Sequence, residues 1–187
     1  PKILLIETAT EVCSVALIHL NGKLLGFEED TTGFAHAEKL TVLIDKLLKK
    51  TNIQFNQLNA VAVSCGPGSY TGLRIGMSAA KGFCYALNIP LITISTLKIM
   101  AAGAMPLADV ENLFLQPDVL LCPMIDARRM EVYTAFFDKD LNEVLAPSAD
   151  IIDEHSYNDY LKKYKLLFFG NGAEKCKLVL APKANTY

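Results

Sequence analysis

The sequence predicts an α/β protein of two related units, each a mixed β-sheet flanked by helices. Two observations predict it: the first hundred residues show the element order β-β-β-α-β-α-β, and an acid-tipped hairpin pattern recurs in the second half. The length of 187 residues suits one domain or two small fused lobes. Apolar residues make up 51% and charged residues 20%, which excludes a disordered chain and a coiled-coil rod.

The elements follow from local patterns. Residues 3–6 and 12–20 predict two strands, and Asn21-Gly22 predicts a tight turn into a third strand over residues 24–28. Residues 37–50 predict an amphipathic helix. A buried strand over residues 60–64, a helix over 73–87 that ends at Asn88, and a strand over 91–94 follow, after which Ser95 is expected to cap a third helix.

The middle of the chain predicts a crossing between two lobes. Residues 100–116 are rich in small side chains and are followed by Pro117. We therefore expect a first lobe over residues 1–98, which carries the partner-docking helices, and a second lobe over residues 99–187.

A repeat supports this division. Residues 6–17 align with residues 125–136 at constant offset, and each copy is a strand ending in a carboxylate, Glu7 or Asp126, followed by a hairpin. Two unrelated hairpins can share such a pattern, so the repeat alone does not decide the fold. It is the pattern expected of a two-lobed fold that holds a nucleotide in a cleft.

The two acids are candidate chemical groups. A carboxylate at the end of a strand can hold Mg²⁺, and the adjoining turn can present N–H groups to phosphate, which favours a small ATP-dependent phosphotransferase. Against this, the tip Ala127-Arg128-Arg129 has no glycine, so a structural or interfacial role for the acids stays open. The candidate nucleotide-cleft residues are Glu7, Thr8, Thr10, Asp126, Arg128, Gly170 and Gly172.

The segment Gly66-Pro67-Gly68-Ser69-Tyr70-Thr71-Gly72 precedes the second helix. Its spacing matches neither the dinucleotide pattern G-x-G-x-x-G nor the Walker pattern, so it is a weak candidate for a phosphate cradle. Within the helix, Gly72, Gly76 and Ala80 recur every four residues and create a face that another helix can approach closely. That neighbour is either internal or a partner's helix.

Several function classes are disfavoured. A net charge of −2 is a poor basis for gripping nucleic acid without other subunits. The five cysteines are scattered and include no C-x-x-C pair, so we expect no disulfide framework, no zinc ribbon and a cytoplasmic location. No apolar run is long enough to suggest a membrane segment or an export signal. A peptidase-like enzyme lacks a G-x-S-x-G or H-E-x-x-H motif, and His36 is expected to be an exposed residue of a first helical turn.

Four segments together resemble a known family in order and over nearly the whole chain. They are ILLIETATEVCSVA at 3–16, HAEKL at 36–40, GPGSYTGLRIG at 66–76, and MIDARR at 124–129 with EVY at 131–133. They are similar to the bacterial TsaB family, also called YeaZ. The resemblance implies an actin-like ATPase fold, shared with sugar kinases and heat-shock protein 70, with two related lobes.

The resemblance also implies a function. Family members are non-catalytic subunits needed to make N6-threonylcarbamoyladenosine at position 37 of tRNA. They bind and activate the catalytic subunit TsaD, are joined by the ATPase TsaE, and leave supply of threonylcarbamoyl-adenylate to a separate enzyme. TsaD carries a metal-binding histidine pair that this sequence lacks, so we expect no catalytic residues, metal or cofactor here, and contact with tRNA only through the complex.

The resemblance further implies pairing through the first two helices, with TsaD in the complex and with a second copy in the isolated protein. Since members commonly continue past the equivalent of Pro182, we also expect the second lobe to be shortened at its C-terminus. The candidate partner-binding residues are Leu40, Leu43, Ile44, Leu47, Gly72, Leu73, Gly76, Met77 and Ala80.

Overall fold

The computed structural model describes residues 1–33, 35–107, 116 and 118–187. The chain divides into two compact units, Pro1–Thr96 and Leu97–Tyr187, which places the division two residues before the predicted one. Most of the predicted crossing, residues 108–115 and 117, lies outside the described residues. Its beginning, residues 100–104, is helical and belongs to the second unit.

The first unit contains a five-stranded sheet. Its strands are β1 (Lys2–Glu7), β2 (Cys13–His19), β3 (Leu24–Asp30), β4 (Ala60–Ser64) and β5 (Leu91–Ile94), in the order β3-β2-β1-β4-β5. The pairs β1–β2 and β2–β3 are antiparallel, and β1–β4 and β4–β5 are parallel. Each of these strands was predicted to within two residues, because alternation and turn residues mark its ends.

Two helices pack on one face of this sheet, α1 (His36–Thr51) and α2 (Tyr70–Leu87). The apolar side chains of α1 meet those of β1 and β2 in a core that includes Leu4, Leu17 and Leu47, all fully buried. Helix α2 begins three residues before the predicted start, because the Ser69 hydroxyl caps it by accepting a hydrogen bond from the Gly72 N–H (3.2 Å).

The second unit repeats the strand topology of the first. Its elements are α3 (Thr96–Ala104), β6 (Val119–Asp126), β7 (Glu131–Phe137), β8 (Glu143–Ile151), α4 (Asn158–Leu161), β9 (Lys165–Phe169) and α5 (Ala173–Leu180). The sheet has the order β8-β7-β6-β9, with β6–β7 and β7–β8 antiparallel and β6–β9 parallel. Unlike the first sheet, it carries helices on both faces: one face packs on α3, and the other packs on α4 and α5.

The strand pairing confirms the predicted duplication and the predicted fold class of two related units, each with a mixed sheet flanked by helices. Thr186 pairs in parallel with Leu166 of β9, in the position that β5 occupies beside β4. The predicted constant offset fails after the hairpin tip, however. Glu7 pairs with Ser14 whereas Asp126 pairs with Val132, so the second turn is one residue shorter and the returning strand is shifted.

The Ser95 hydroxyl is buried and has no hydrogen-bond partner among the described residues, so the prediction that it caps α3 is wrong.

No helix in the described part of the chain is long and apolar enough to cross a membrane.

A buried carboxylate joins the edge strand β3 to α1. Glu28 is only 7% exposed, and it forms salt bridges with Lys46 (2.5 Å) and Lys50 (2.7 Å), whose ammonium groups reach down from α1. These hydrogen bonds lower the pKa of Glu28. The ionised form of Glu28 therefore stabilises the contact between β3 and α1.

This carboxylate predicts a pH dependence of unfolding. A depressed folded-state pKa contributes stability that is present above the unfolded value of about 4.3 and is lost as pH falls through the folded-state value. We expect Glu28→Gln to flatten the loss of urea stability between about pH 5 and pH 3. The exposed neighbour Glu29, changed to Gln, serves as the control. Equal slopes for the wild type and Glu28→Gln would contradict the assignment.

Candidate functional site

Glu7, the acid at the tip of the first hairpin, is engaged by its own chain. Its Oε1 accepts hydrogen bonds from the Ala9 N–H (2.6 Å) and from the hydroxyl of Ser64 at the end of β4 (2.8 Å). Ser64 is 1% exposed, so the hydroxyl that donates this hydrogen bond is buried. The carboxylate thus ties the end of β1 to the end of the neighbouring strand and to its own turn.

Thr8, the next residue, was predicted to line a nucleotide cleft, and that prediction is wrong. Thr8 is fully buried beneath the first turns of α2. A β-carbon at Gly72 would collide with the Thr8 carbonyl oxygen, and one at Gly76 would collide with its hydroxyl. Thr10, two residues further on, is exposed.

His36 connects the same turn to α1. Its Nε2 lies 2.9 Å from the Thr10 carbonyl oxygen, and because a carbonyl oxygen can only accept, Nε2 is the donor. The imidazole is 3% exposed and lies against Gly72, so the expectation of an exposed histidine is wrong. Because α2 has no side chain at Gly72, the ring fits between the two helices.

The glycine-rich loop before α2, residues 66–69, packs against the turn of the first hairpin. The Ser69 N–H donates to the Ala9 carbonyl oxygen (2.7 Å), and a β-carbon at Gly68 would collide with that oxygen. The close approach to which these glycines are suited is therefore made to the chain's own turn. This gives the loop a structural role in place of the weakly indicated phosphate cradle.

Asp126, the acid at the tip of the second hairpin, is also engaged internally. Lys175 of α5 forms an ion pair with its Oδ1 and also donates to the Glu131 carbonyl oxygen (2.6 Å). The Arg128 N–H donates to the same carboxylate (2.8 Å). The bond from Lys175, followed by that from Arg128, lowers the pKa of Asp126.

The Gly170–Gly172 turn packs against the end of β6. The Asn171 side chain accepts a hydrogen bond from the Asp126 N–H (3.0 Å). A β-carbon at Gly170 would collide with the Met124 carbonyl oxygen, and one at Gly172 would lie 2.9 Å from the Ile125 carbonyl carbon. Residues 170–172 thus form a strand-to-helix turn between β9 and α5 that packs closely on β6.

The predicted partner-binding residues fall into two groups. Leu73 and Met77 are partly exposed on α2. The others are buried inside the first unit, where they form its core or contact Thr8 and His36. Those buried residues are Leu40, Leu43, Ile44, Leu47, Gly72, Gly76 and Ala80. These seven residues are therefore not available to a partner, because they are buried within the first unit.

Sequence reasoning missed the residues that hold the two acids. These are Ser64, which donates to Glu7, and Lys175, which donates to Asp126. A local pattern could have indicated Ser64, because it ends the parallel strand beside β1. Lys175 lies 49 residues from Asp126, and no local spacing connects them. In the described part of the chain, no group of three or more histidine, cysteine or acidic side chains is placed to bind a metal.

The geometry defines a class of protein: a two-unit, actin-like fold in which both hairpin carboxylates are held by the chain itself. Residues 28–183 match the family model described as TsaD, tRNA N6-adenosine threonylcarbamoyltransferase. A protein of Haemophilus influenzae named tRNA threonylcarbamoyladenosine biosynthesis protein TsaB is 35% identical over 131 residues, which are 70% of this chain and 51% of that protein. The protein of the same name in Escherichia coli is 34% identical over 143 residues, 76% of this chain and 58% of its own length.

A solved structure agrees with these matches. It is described as an uncharacterized protein with similarity to peptidase YEAZ from Pseudomonas aeruginosa, and it superposes with a TM-score of 0.76 and 27% identity over 94% of this chain and 78% of that chain. The chain belongs to the TsaB (YeaZ) family, which confirms the resemblance seen in the sequence. It spans only 51% to 58% of the length of the two curated relatives.

The packing of α2 predicts opposite effects for two of its glycines. Gly76→Ala should lower the free energy of unfolding by about 1–3 kcal/mol, because the new methyl group meets the Thr8 hydroxyl. Gly82 faces open space, so Gly82→Ala should raise it by about 1 kcal/mol through helix propensity. Urea denaturation measures both, and a stabilising Gly76→Ala would contradict the packing. Substitutions at Gly76 therefore report on folding and not on docking.

Proposed function

We propose that this chain acts in the biosynthesis of N6-threonylcarbamoyladenosine at position 37 of tRNA, as a supporting subunit that binds and activates a TsaD-type catalytic subunit. Membership of the TsaB family and the names of the relatives support the pathway. Activation would arise because the chain binds the active conformation of its partner more tightly than the inactive one.

One observation carries the supporting, non-catalytic part of the proposal. Glu7 and Asp126 are the acids that a phosphotransferase of this fold would need for magnesium, and both are engaged by their own chain. Redirecting Glu7 to a metal would weaken two hydrogen bonds, one of them to a buried hydroxyl. Redirecting Asp126 would separate it from Lys175. These costs favour a structural role for both carboxylates.

The outer faces of α1 and α2 are the proposed docking surface. Their buried faces serve the core, but the opposite faces expose Val42 (58%), Tyr70 (75%) and Tyr85 (92%). Exposed tyrosines are typical of protein interfaces, since they supply a large contact area with little loss of conformational entropy. The same surface would pair two copies of the isolated chain. A TsaE-type ATPase and the tRNA would join through the complex.

The test is reconstitution with the TsaD-type subunit of the same organism. We expect the two chains to co-purify, and we expect threonylcarbamoylation of tRNA to require both chains. Tyr85→Ala should weaken co-purification, because it removes the most exposed aromatic side chain of α2. Leu178→Ala, which truncates an equally exposed apolar side chain (89%) in the second unit, is the matched control.

Full modification of tRNA without this chain would contradict the supporting role. Magnesium-dependent turnover of ATP by the isolated chain, lost in Asp126→Ala, would instead establish the phosphotransferase. Unfolding of each variant is measured alongside, so that a folding defect is not mistaken for a loss of function.

A further inference from the structure

The turn of the second hairpin is exposed at its tip, unlike its counterpart in the first unit. In the first hairpin, Thr8 is fully buried beneath α2, and the Ala9 carbonyl oxygen accepts a hydrogen bond from the loop before that helix. The second turn is one residue shorter, and the glycine turn after β9 packs on the end of β6, before the tip. The tip itself consists of Arg128 and Arg129, which are both exposed. We call these two residues the arginine tip.

The arginine tip carries two of the three arginines in the chain. The third, Arg74, lies over the ring of Tyr70, with its guanidinium 5.4 Å from the ring centre. In the part of the chain that the structure describes, neither arginine of the tip forms a salt bridge or lies over an aromatic ring. Both guanidinium groups are therefore available to a ligand.

The acids of the same hairpin leave the tip with net positive charge. Asp126 accepts a hydrogen bond from the Arg128 N–H and forms an ion pair with Lys175 of α5. Glu131, at the start of β7, is half-buried and forms no salt bridge among the described residues. The arginine tip and Lys175 thus supply three positive charges, against two negative charges from these acids.

The backbone of the tip is unfavourable for the residues that occupy it. Arg128 and Arg129 both have φ in the left-handed region, which glycine and asparagine adopt more readily than residues with long side chains. Two hydrogen bonds of 3.1 Å hold the turn: the Ala127 N–H donates to the Glu131 carbonyl oxygen, and the Glu131 N–H donates to the Arg128 carbonyl oxygen. Backbone strain of this kind is concentrated at functional sites, which indicates that the two side chains themselves are used.

The chemistry of the tip favours the phosphate groups of a nucleic acid. A guanidinium group presents paired N–H donors that match two phosphate oxygens, and it keeps its charge at physiological pH. Two adjacent arginines can contact neighbouring phosphates, which positions a nucleic acid without reading its bases. A protein interface would add an apolar core, but the residues that flank the tip, Ala127 and Met130, are half-buried.

We propose that the arginine tip contacts the phosphate backbone of tRNA when the chain is assembled with its TsaD-type partner. The inference rests on the proposed function and makes it more specific, because it gives this chain a direct part in holding the substrate. Two phosphate contacts are too few to hold tRNA without other subunits, which agrees with the net charge of −2.

Removing the charges while keeping long side chains tests the proposal. In the double variant Arg128→Gln/Arg129→Gln, we expect the affinity of the assembled complex for an unmodified tRNA transcript to fall about tenfold at about 0.1 M salt. The slope of log K against log salt concentration should become shallower by about 1 to 2, because fewer counterions are released. Fluorescence anisotropy with labelled tRNA measures both quantities.

The matched control is Lys23→Gln/Lys139→Gln, which also removes two positive charges from exposed residues in hairpin turns. Lys139 lies beside Asp140, 3.7 Å away, in the turn between β7 and β8. This variant should keep the tRNA affinity within about twofold of the wild type. Urea denaturation confirms that each variant is folded, and co-purification confirms that each still binds the TsaD-type subunit.

Chemical modification provides a second readout. Phenylglyoxal reacts with exposed guanidinium groups, and we expect tRNA to slow its reaction with Arg128 and Arg129 in the complex, as followed by mass spectrometry. An unchanged tRNA affinity of the double variant, or unchanged modification of both arginines, would overturn the assignment of the tip alone. Loss of the TsaD-type subunit from the folded double variant would assign the tip to a protein contact and would overturn it too. Failure of the wild type to bind that subunit would overturn the proposed function as well.

Discussion

The first unit depends on the contact between the β1–β2 turn and the start of α2. Thr8 lies beneath Gly72 and Gly76, and the Ala9 carbonyl oxygen accepts a hydrogen bond from the Ser69 N–H. This contact fixes the position of α2 on the sheet. It also places the Thr10 carbonyl oxygen where His36 can reach it, so the first turn of α1 is anchored by the same few atoms. The core between the helices and the sheet then follows from ordinary apolar packing.

In the second unit, different residues make the corresponding contacts between the hairpin, the sheet and the helix. A glycine turn after β9 packs against the end of β6, as the loop after β4 packs against the β1–β2 turn. The carboxylate of the first hairpin is satisfied by a hydroxyl, and that of the second by an ammonium group. The two units therefore share a strand topology but hold their hairpin carboxylates with different chemical groups. The shared strand topology accounts for the repeated hairpin pattern in the sequence, whereas the groups that contact the two carboxylates differ between the units.

Sequence patterns predicted the strands, the two long helices and the duplication, because alternation, helical periodicity and turn residues are local signals. The orientation of α2 could not be predicted in this way. The small residues Gly72, Gly76 and Ala80 indicate that another part of the protein packs closely on this face of α2. They do not indicate whether that neighbour belongs to the same chain, as Thr8 does, or to a partner. The pairing of Asp126 with Lys175 was equally inaccessible, since it is a tertiary contact between distant residues.

The turn of the second hairpin carries a further consequence, for engineering. Arg128 and Arg129 both adopt left-handed backbone conformations, with φ of 72° and 45°, and each such residue costs about 1–2 kcal/mol. Glycine or asparagine would relieve this strain, but it would also remove one of only three arginines in the chain. A stabilised variant made at these positions would gain thermal tolerance while losing exposed positive charge, so stability and surface charge cannot be improved there independently.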